Sequence, residues 1–369
     1  MYLKNSKTIV IKLGSALLVS EKQIFRQNWL ENFAKDVKEL LNKKKNIIIV
    51  SSGAIALGCK KLNLNKKNIK LDKSQAVASI GQIELINVFK KIFSKNNINI
   101  SQILLTLEDT EQRRRAINAK RTFDNLFKLG YVPIVNENDS IATSEIKYGD
   151  NDRLASRVAQ ISSADCLILL SDVDGLYSKD PKIFKTAKLI NEIKSINNDV
   201  EKYATRNSGK YGTGGMKTKL EAAKICQNSG CVMAIANGFK KRPLKNIDKK
   251  YNCTWFLPKI SKLDARKKWI ISSISPKGKI IIDEGALSAL NNGKSLLAAG
   301  IKDVQGSFNK GDHIKILNNS MTEFARGLSS FSSDEILKIK GKHSNKINDI
   351  LGYVSKSEVI HKDDMVLIK

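Results

Sequence analysis

The residues best equipped for chemistry lie between Gly130 and Arg153, where Asn136, Glu137, Asn138 and Asp139, then Asp150, Asn151 and Asp152, follow the apolar run Tyr131 to Val135. The run is rich in β-branched residues and reads as a buried strand, and strand ends of this kind are where α/β proteins bind ligands. A helix beginning near Asp152 would use one of these groups as a cap. The remainder suits cation contacts, the ammonium of an amino acid, or the orientation of catalytic lysines. Lys12 interrupts the apolar run Thr8 to Leu13 and directly precedes Gly14-Ser15. A buried ammonium is costly unless paired, so Lys12 either snorkels to solvent or reaches a polar crevice, and the small residues after it favour a backbone shaped for an anion.

The stretch Lys210 to Lys219 places Gly212, Thr213, Gly214 and Gly215 before Met216, Lys217, Thr218 and Lys219, at the start of a helical pattern. Glycines permit close backbone approach, and the first free amides of a helix favour phosphate. It is not a Walker loop, because Gly209 and Gly214 have the right separation but Gly215 occupies the lysine position. A flexible glycine turn explains the stretch as well as a nucleotide site does. Residues 1–270 contain no histidine, since His313, His343 and His361 all lie beyond them, so Ser-His-Asp and Cys-His catalysis are excluded there. Phosphoryl transfer to a carboxylate needs no general base, because a carboxylate with a pKa of about 4 is already ionised at neutral pH.

Six apolar runs carry these groups: Thr8 to Leu13, Asn46 to Val50, Ile103 to Thr106, Val132 to Val135, Cys166 to Leu170 and Val232 to Ala236. Each ends in small or polar residues, including Ser52-Gly53 after the second and Ser171-Asp172 after the fifth. Helical spacing over Trp29 to Leu41, Ser74 to Phe93, Asp109 to Leu129, Asp152 to Ile161 and Gly215 to Gln227 separates the runs. This alternation predicts an αβα sandwich around a mostly parallel central sheet. It fails from Lys240 to Lys279, where Pro243, Pro258 and Pro276 mark a domain end. Short alternating runs follow at Ile280 to Ile282, Ser295 to Ala298, Asp303 to Phe308, His313 to Leu317, Glu323 to Leu328 and Glu335 to Lys340, and these predict a small C-terminal β-barrel. The expected domains are 1–258 and 276–369, with a linker over 259–275.

The 369 residues suffice for about two domains. Five cysteines with no C-x-x-C pair read as reduced thiols, not a zinc site. No secretory signal or membrane span is expected, which makes the protein cytoplasmic. The net charge of +28 is mostly lysine scattered over residues 1–270, whereas residues 271–369 carry 14 Lys plus Arg against 11 Asp plus Glu. This distribution reads as a compositional bias spread over solvated faces, with nucleic-acid attraction the lesser account. The Arg113-Arg114-Arg115 run reads as a solvated helix face or subunit contact ahead of a phosphate patch.

Taken together, Val10 to Ser15, Val50 to Ala56, Asn136 to Asp139, Gly149 to Asp152, Ser171-Asp172 with Gly175 to Tyr177, and Gly212 to Lys219 resemble the amino acid kinase family, in the branch that phosphorylates glutamate. Ile282 to Ala286, Ser295 to Leu297 and Gly300-Ile301 resemble a PUA domain. The resemblance implies transfer of phosphate from ATP, with Mg2+, to the side-chain carboxylate of L-glutamate, as the first step of proline synthesis. It further implies inhibition by proline and a homo-oligomer, dimer or tetramer. By resemblance, Lys12 and Lys219 neutralise the transferring phosphoryl group and Asp152 holds them. Ser52, Gly53, Asn136, Asp139, Asp150 and Asn151 bind glutamate; Lys12, Ser171, Asp172 and Thr213, Gly214, Gly215, Met216, Lys217, Thr218 and Lys219 hold ATP. Asp150 is implied to lie near the amino group of glutamate or the metal, and no side chain is assigned to the metal alone. Serine stands for the usual threonine at Ser15 and Ser171, and Cys253 for a glycine before Thr254. Two alternatives remain open: another acid substrate, or an RNA-binding protein with a vestigial kinase site, against which stand the low charge of the barrel and the presence of both lysines.

Overall fold

A computed structural model describes residues 2–20, 24–64, 69–141, 151–181, 183–206, 215–247, 253–265 and 276–368. The expected site residues Asp150, Thr213 and Gly214 lie outside these ranges. The chain divides into two compact units, Met1–Lys262 and Leu263–Lys369.

In the first unit, β1 (Thr8–Leu13), β2 (Asn46–Val50), β3 (Asn99–Leu105), β4 (Tyr131–Glu137), β5 (Cys166–Ser171), β6 (Glu192–Ile193), β7 (Val232–Asn237) and β8 (Cys253–Phe256) form one sheet. Its order is β3-β4-β2-β1-β5-β7-β8-β6. The strands from β3 through β7 are mutually parallel. Only β8 reverses against β7, and β6 follows β8. The sequence reading ended the alternation at Lys240 and so missed β8. A four-residue strand that pairs antiparallel after a lysine-rich stretch of sequence shows no helix-strand alternation. β1 has β2, the next strand in the chain, on one side and β5, reached only after β4, on the other, and at such a change of direction an α/β sheet offers a crevice beyond its strand ends.

Strand pleating decides which face each side chain joins. Ile9, Ile11 and Leu13 pack with Leu30, Phe33, Leu85 and Phe89 of helices Gln27–Asn42 and Leu71–Ser94. Val10 packs on the other face with Leu154 and Val158 of helix Asn151–Ile161 and Leu220 and Ala223 of helix Met216–Asn228. Lys12 is in phase with Val10 and therefore faces these last two helices.

The expected single helix over Asp109 to Leu129 is two, Leu107–Glu111 and Arg113–Lys128. Thr106 and Asp109 close a capping box on the first, and Gln112 then turns extended, with ψ of 116°, and starts the second. Arg115 reaches back to Asp109 at 2.7 Å.

The second unit contains a five-stranded sheet in the order β11-β9-β12-β13-β15, built from β9 (Gly278–Ile282), β11 (Ile301–Gln305), β12 (His313–Leu317), β13 (Glu323–Leu328) and β15 (Met365–Leu367). A separate pair joins β10 (Leu296–Leu297) to β14 (Glu358–Ile360). One core containing Ile280, Ile282, Ile314, Ile316 and Phe331 serves the whole unit. Glu335 to Lys340, expected as a strand-like run, is instead the helix Ser333–Ile339. Ser332 and Glu335 form its capping box, and Ile336 and Ile339, three apart, are its buried face. Among the described residues no helix is long and apolar enough to cross a membrane. All five cysteines are buried, and none forms a disulfide.

Candidate active site

The phase of β1 delivers Lys12 to the meeting point of two helix N-termini. Asp152 stands in the first turn of helix Asn151–Ile161, where the free amides favour a negative charge. Lys219 stands in the first turn of helix Met216–Asn228. The Nζ of Lys12 lies 2.7 Å from Oδ1 of Asp152, and the Nζ of Lys219 lies 3.0 Å from Oδ2. The hydroxyl of Thr218 is 2.8 Å from the carbonyl oxygen of Gly215 and 3.3 Å from the same Oδ2. Asp152 is only 1% exposed, and Lys12 and Lys219 are 8% and 5% exposed, so water does little to screen the three charges.

Burial alone would raise the Asp152 carboxyl, but the charges of Lys12 and Lys219, with their hydrogen bonds, override it and hold the group down at about 2. Two conclusions follow. Asp152 is far too weak a base to take a proton at neutral pH, so the role its chemistry leaves open is positioning. The cluster of two ammoniums and one carboxylate keeps a net charge of +1, which suits an anion. The ordinary value is 3.8, so the stabilisation that Asp152 provides is complete above that pH and is lost as pH falls toward 2. The gap in unfolding free energy between the native chain and Asp152→Asn should therefore narrow by about 2 kcal/mol across that window, as read by denaturant titrations at stepped pH.

Next to this cluster, the amides form a one-way chain. Nδ2 of Asn151 shares its two N–H groups among three acceptors, the backbone carbonyl of Ser51 at 2.6 Å, Oγ of Ser52 at 2.9 Å and Oδ1 of Asn136 at 3.0 Å. Nδ2 of Asn136 in turn donates to Oε1 of Gln82 at 2.7 Å. All of these side chains are buried. Gly53 holds the turn after β2 with φ of 106°, a left-handed conformation that admits glycine readily, and starts helix Ala54–Lys61. Gln82, Glu137, Asn138 and Asp139 line a cleft of about 230 Å³, to which Ile83 and Leu104 add apolar lining.

Of the other expected residues, Ser171 and Asp172 lie at the end of β5, one strand from Lys12, with the Ser171 hydroxyl 3.0 Å from Oδ1 of Asp172. Gly215 caps helix Met216–Asn228; Met216 is half-buried and Lys217 exposed. The structure thus gathers Lys12, Ser52, Asn136, Asn151, Asp152, Thr218 and Lys219 into one polar cluster, with Asp139 in the adjoining cleft. The ammonium-rich donor set matches polyphosphate oxygens; a magnesium ion accompanying the nucleotide would add charge neutralisation there, with no described side chain assigned to hold it. Gln82 was not among the sequence candidates. Its only sequence signal is a polar residue on the helix stripe Ala78, Leu85, Phe89.

The amino acid kinase family model matches residues 7–237 and the PUA domain model residues 278–351. A glutamate 5-kinase of Pelagibacter ubique is 72% identical over 366 residues, covering 99% of this chain and 100% of that protein. A glutamate 5-kinase of Sinorhizobium fredii is 47% identical over 365 residues, covering 99% of this chain and 93% of that one. A crystal structure of UMP kinase from Ureaplasma parvum superposes with a TM-score of 0.46 at 18% identity, covering 69% of this chain and 99% of that one. The chain belongs to the amino acid kinase family, among the glutamate 5-kinases, and carries a C-terminal PUA domain.

Proposed function

We propose that the protein catalyses ATP + L-glutamate → ADP + L-glutamyl 5-phosphate, by in-line attack of the side-chain carboxylate on the γ-phosphorus. The carrying observation is the buried Asp152 flanked by Lys12 and Lys219 at 2.7 and 3.0 Å. Phosphoryl transfer asks the protein mainly for positioning and charge stabilisation. Asp152 fixes the two ammoniums relative to each other, and they neutralise the phosphoryl oxygens. The attacking carboxylate is already ionised, which fits a site without histidine. Ser52, Gly53, Asn136, Asp139, Asp150 and Asn151 hold glutamate in this reading. Ser171, Asp172 and residues 213–219 hold ATP. The enzyme would act in the cytoplasm as a homo-oligomer, dimer or tetramer, at the first step of proline synthesis, and proline would compete near the glutamate pocket.

A panel of L-glutamate, acetylglutamate and aspartate with ATP and magnesium tests the substrate. The expected result is ADP release that depends on glutamate and is raised in apparent KM by added proline. Equal or faster release with another acid would overturn it. Asp139→Asn removes a carboxylate from the cleft and is expected to raise the glutamate KM roughly tenfold or more, with the ATP KM unchanged in initial-rate measurements.

A further inference from the structure

Resting on the glutamate reading, we propose that Gln82 is a specificity-determining residue whose Nε2 donates to the α-carboxylate of the bound amino acid. The backbone carbonyl of Ser51 can only accept, so the Asn151 amide 2.6 Å away must present its NH2. That group also meets Asn136, which must then show its oxygen to Asn151 and its NH2 to Gln82. Gln82 consequently presents Oε1 to Asn136, and its two remaining N–H donors belong to the opposite edge of its amide. The polarity of the whole chain is set by one peptide carbonyl at the end of β2.

Gln82 lines the cleft that Asp139 and Glu137 also line. A cleft with the carboxylates Glu137 and Asp139 and the amides Gln82, Gln102 and Asn138 pairs with a zwitterion: the carboxylates take an ammonium, and the N–H donors take a carboxylate. Among the amides Gln82 is the one tied to the Asn151–Asn136 chain. The Gln82 end of the amide chain is the end away from Asp152 and its lysines. The substrate carboxylate that meets Gln82 is therefore not the one that is phosphorylated, which assigns it to the α-position. A buried donor of this kind discriminates strongly, because a ligand lacking its partner leaves the donor unpaired.

Two substitutions separate donation from scaffolding. Gln82→Glu keeps an oxygen for Asn136 but has no N–H to offer; Gln82→Met keeps the approximate length and offers neither. The measurement is kcat/KM for L-glutamate against L-isoglutamine, whose α-carboxylate is an amide and whose side-chain carboxylate is intact, with isoglutamine also measured as a competitive inhibitor. Both variants are expected to lose at least about tenfold of the native preference for glutamate, with the ATP KM within about twofold of native. If Gln82→Glu keeps the native preference, donation is refuted, and Gln82→Met keeping it refutes the proposal equally if Gln82→Glu does not fold. Native protein without glutamate-dependent ADP release would instead refute the underlying kinase reading.

Discussion

Asp152→Asn is expected to lower kcat by roughly 10²- to 10³-fold while the KM for glutamate and ATP move by no more than a few-fold. The native carboxylate meets Lys12 through one oxygen and Lys219 through the other. An asparagine of the same shape replaces one oxygen by an NH2, which repels whichever ammonium it faces. It also removes the single negative charge between two buried positive ones, so the ammoniums separate. In the proposed mechanism transition-state stabilisation depends on their fixed spacing, whereas the glutamate and ATP contacts are assigned to other residues, the amide chain beginning at Asn151 and the glycine-rich stretch. The effect therefore falls on turnover. Breaking a buried pair by removing one partner also costs about 3–5 kcal/mol, so the variant should unfold at lower denaturant concentration. An unchanged kcat with raised KM would show that Asp152 serves binding.

The second large effect is on stability. Gly81→Ala should lower the unfolding free energy by about 3 kcal/mol, although alanine favours a helix over glycine by about 1 kcal/mol. A Cβ at Gly81 would lie 1.8 Å from the carbonyl oxygen of Ala54 and 2.5 Å from the amide nitrogen of Gly58. One at Gly58 would lie 2.0 Å from the carbonyl oxygen of Val77. Helices Ala54–Lys61 and Leu71–Ser94 thus touch backbone to backbone, and no rotamer change relieves the clash. Asn87→Ala on the exposed side of the same long helix should change stability by no more than about 0.5 kcal/mol. Because Gly81 adjoins Gln82, and the shorter helix starts at Gly53, separating the helices should also raise the glutamate KM. Equal denaturation midpoints for Gly81→Ala and the native chain would contradict this packing.

Much of the framework was legible in the sequence. The apolar runs that became β1, β2, β4, β5 and β7 are bounded by polar residues, and burial on both faces forces such runs into a parallel sheet. Lys12 stood out because an ammonium has no place in such a run without a partner. That the partner is Asp152, shared with Lys219, came from family resemblance, since spacing says nothing about which helix ends meet. Gln82 stayed hidden for a related reason. On its helix it occupies a core-facing position, and only the structure shows Asn136 opposite it. The helix Ser333–Ile339 was misread because a short stretch with apolar residues at Ile336 and Ile339 fits strand and helix periods alike until the capping box is weighed.

Attack by the glutamate side-chain carboxylate on ATP is tested most directly by labelling both oxygens of that carboxylate with 18O. The protein is incubated with magnesium and ATP, and the product is trapped with hydroxylamine. Hydroxylamine attacks the acyl carbon and releases phosphate that retains the bridging oxygen. The expected result is one hydroxamate per ADP and one 18O atom in each phosphate released. Phosphate free of label, or ADP formed without hydroxamate, would mean that water is the nucleophile and would contradict carboxylate phosphorylation at the Lys12, Asp152 and Lys219 site.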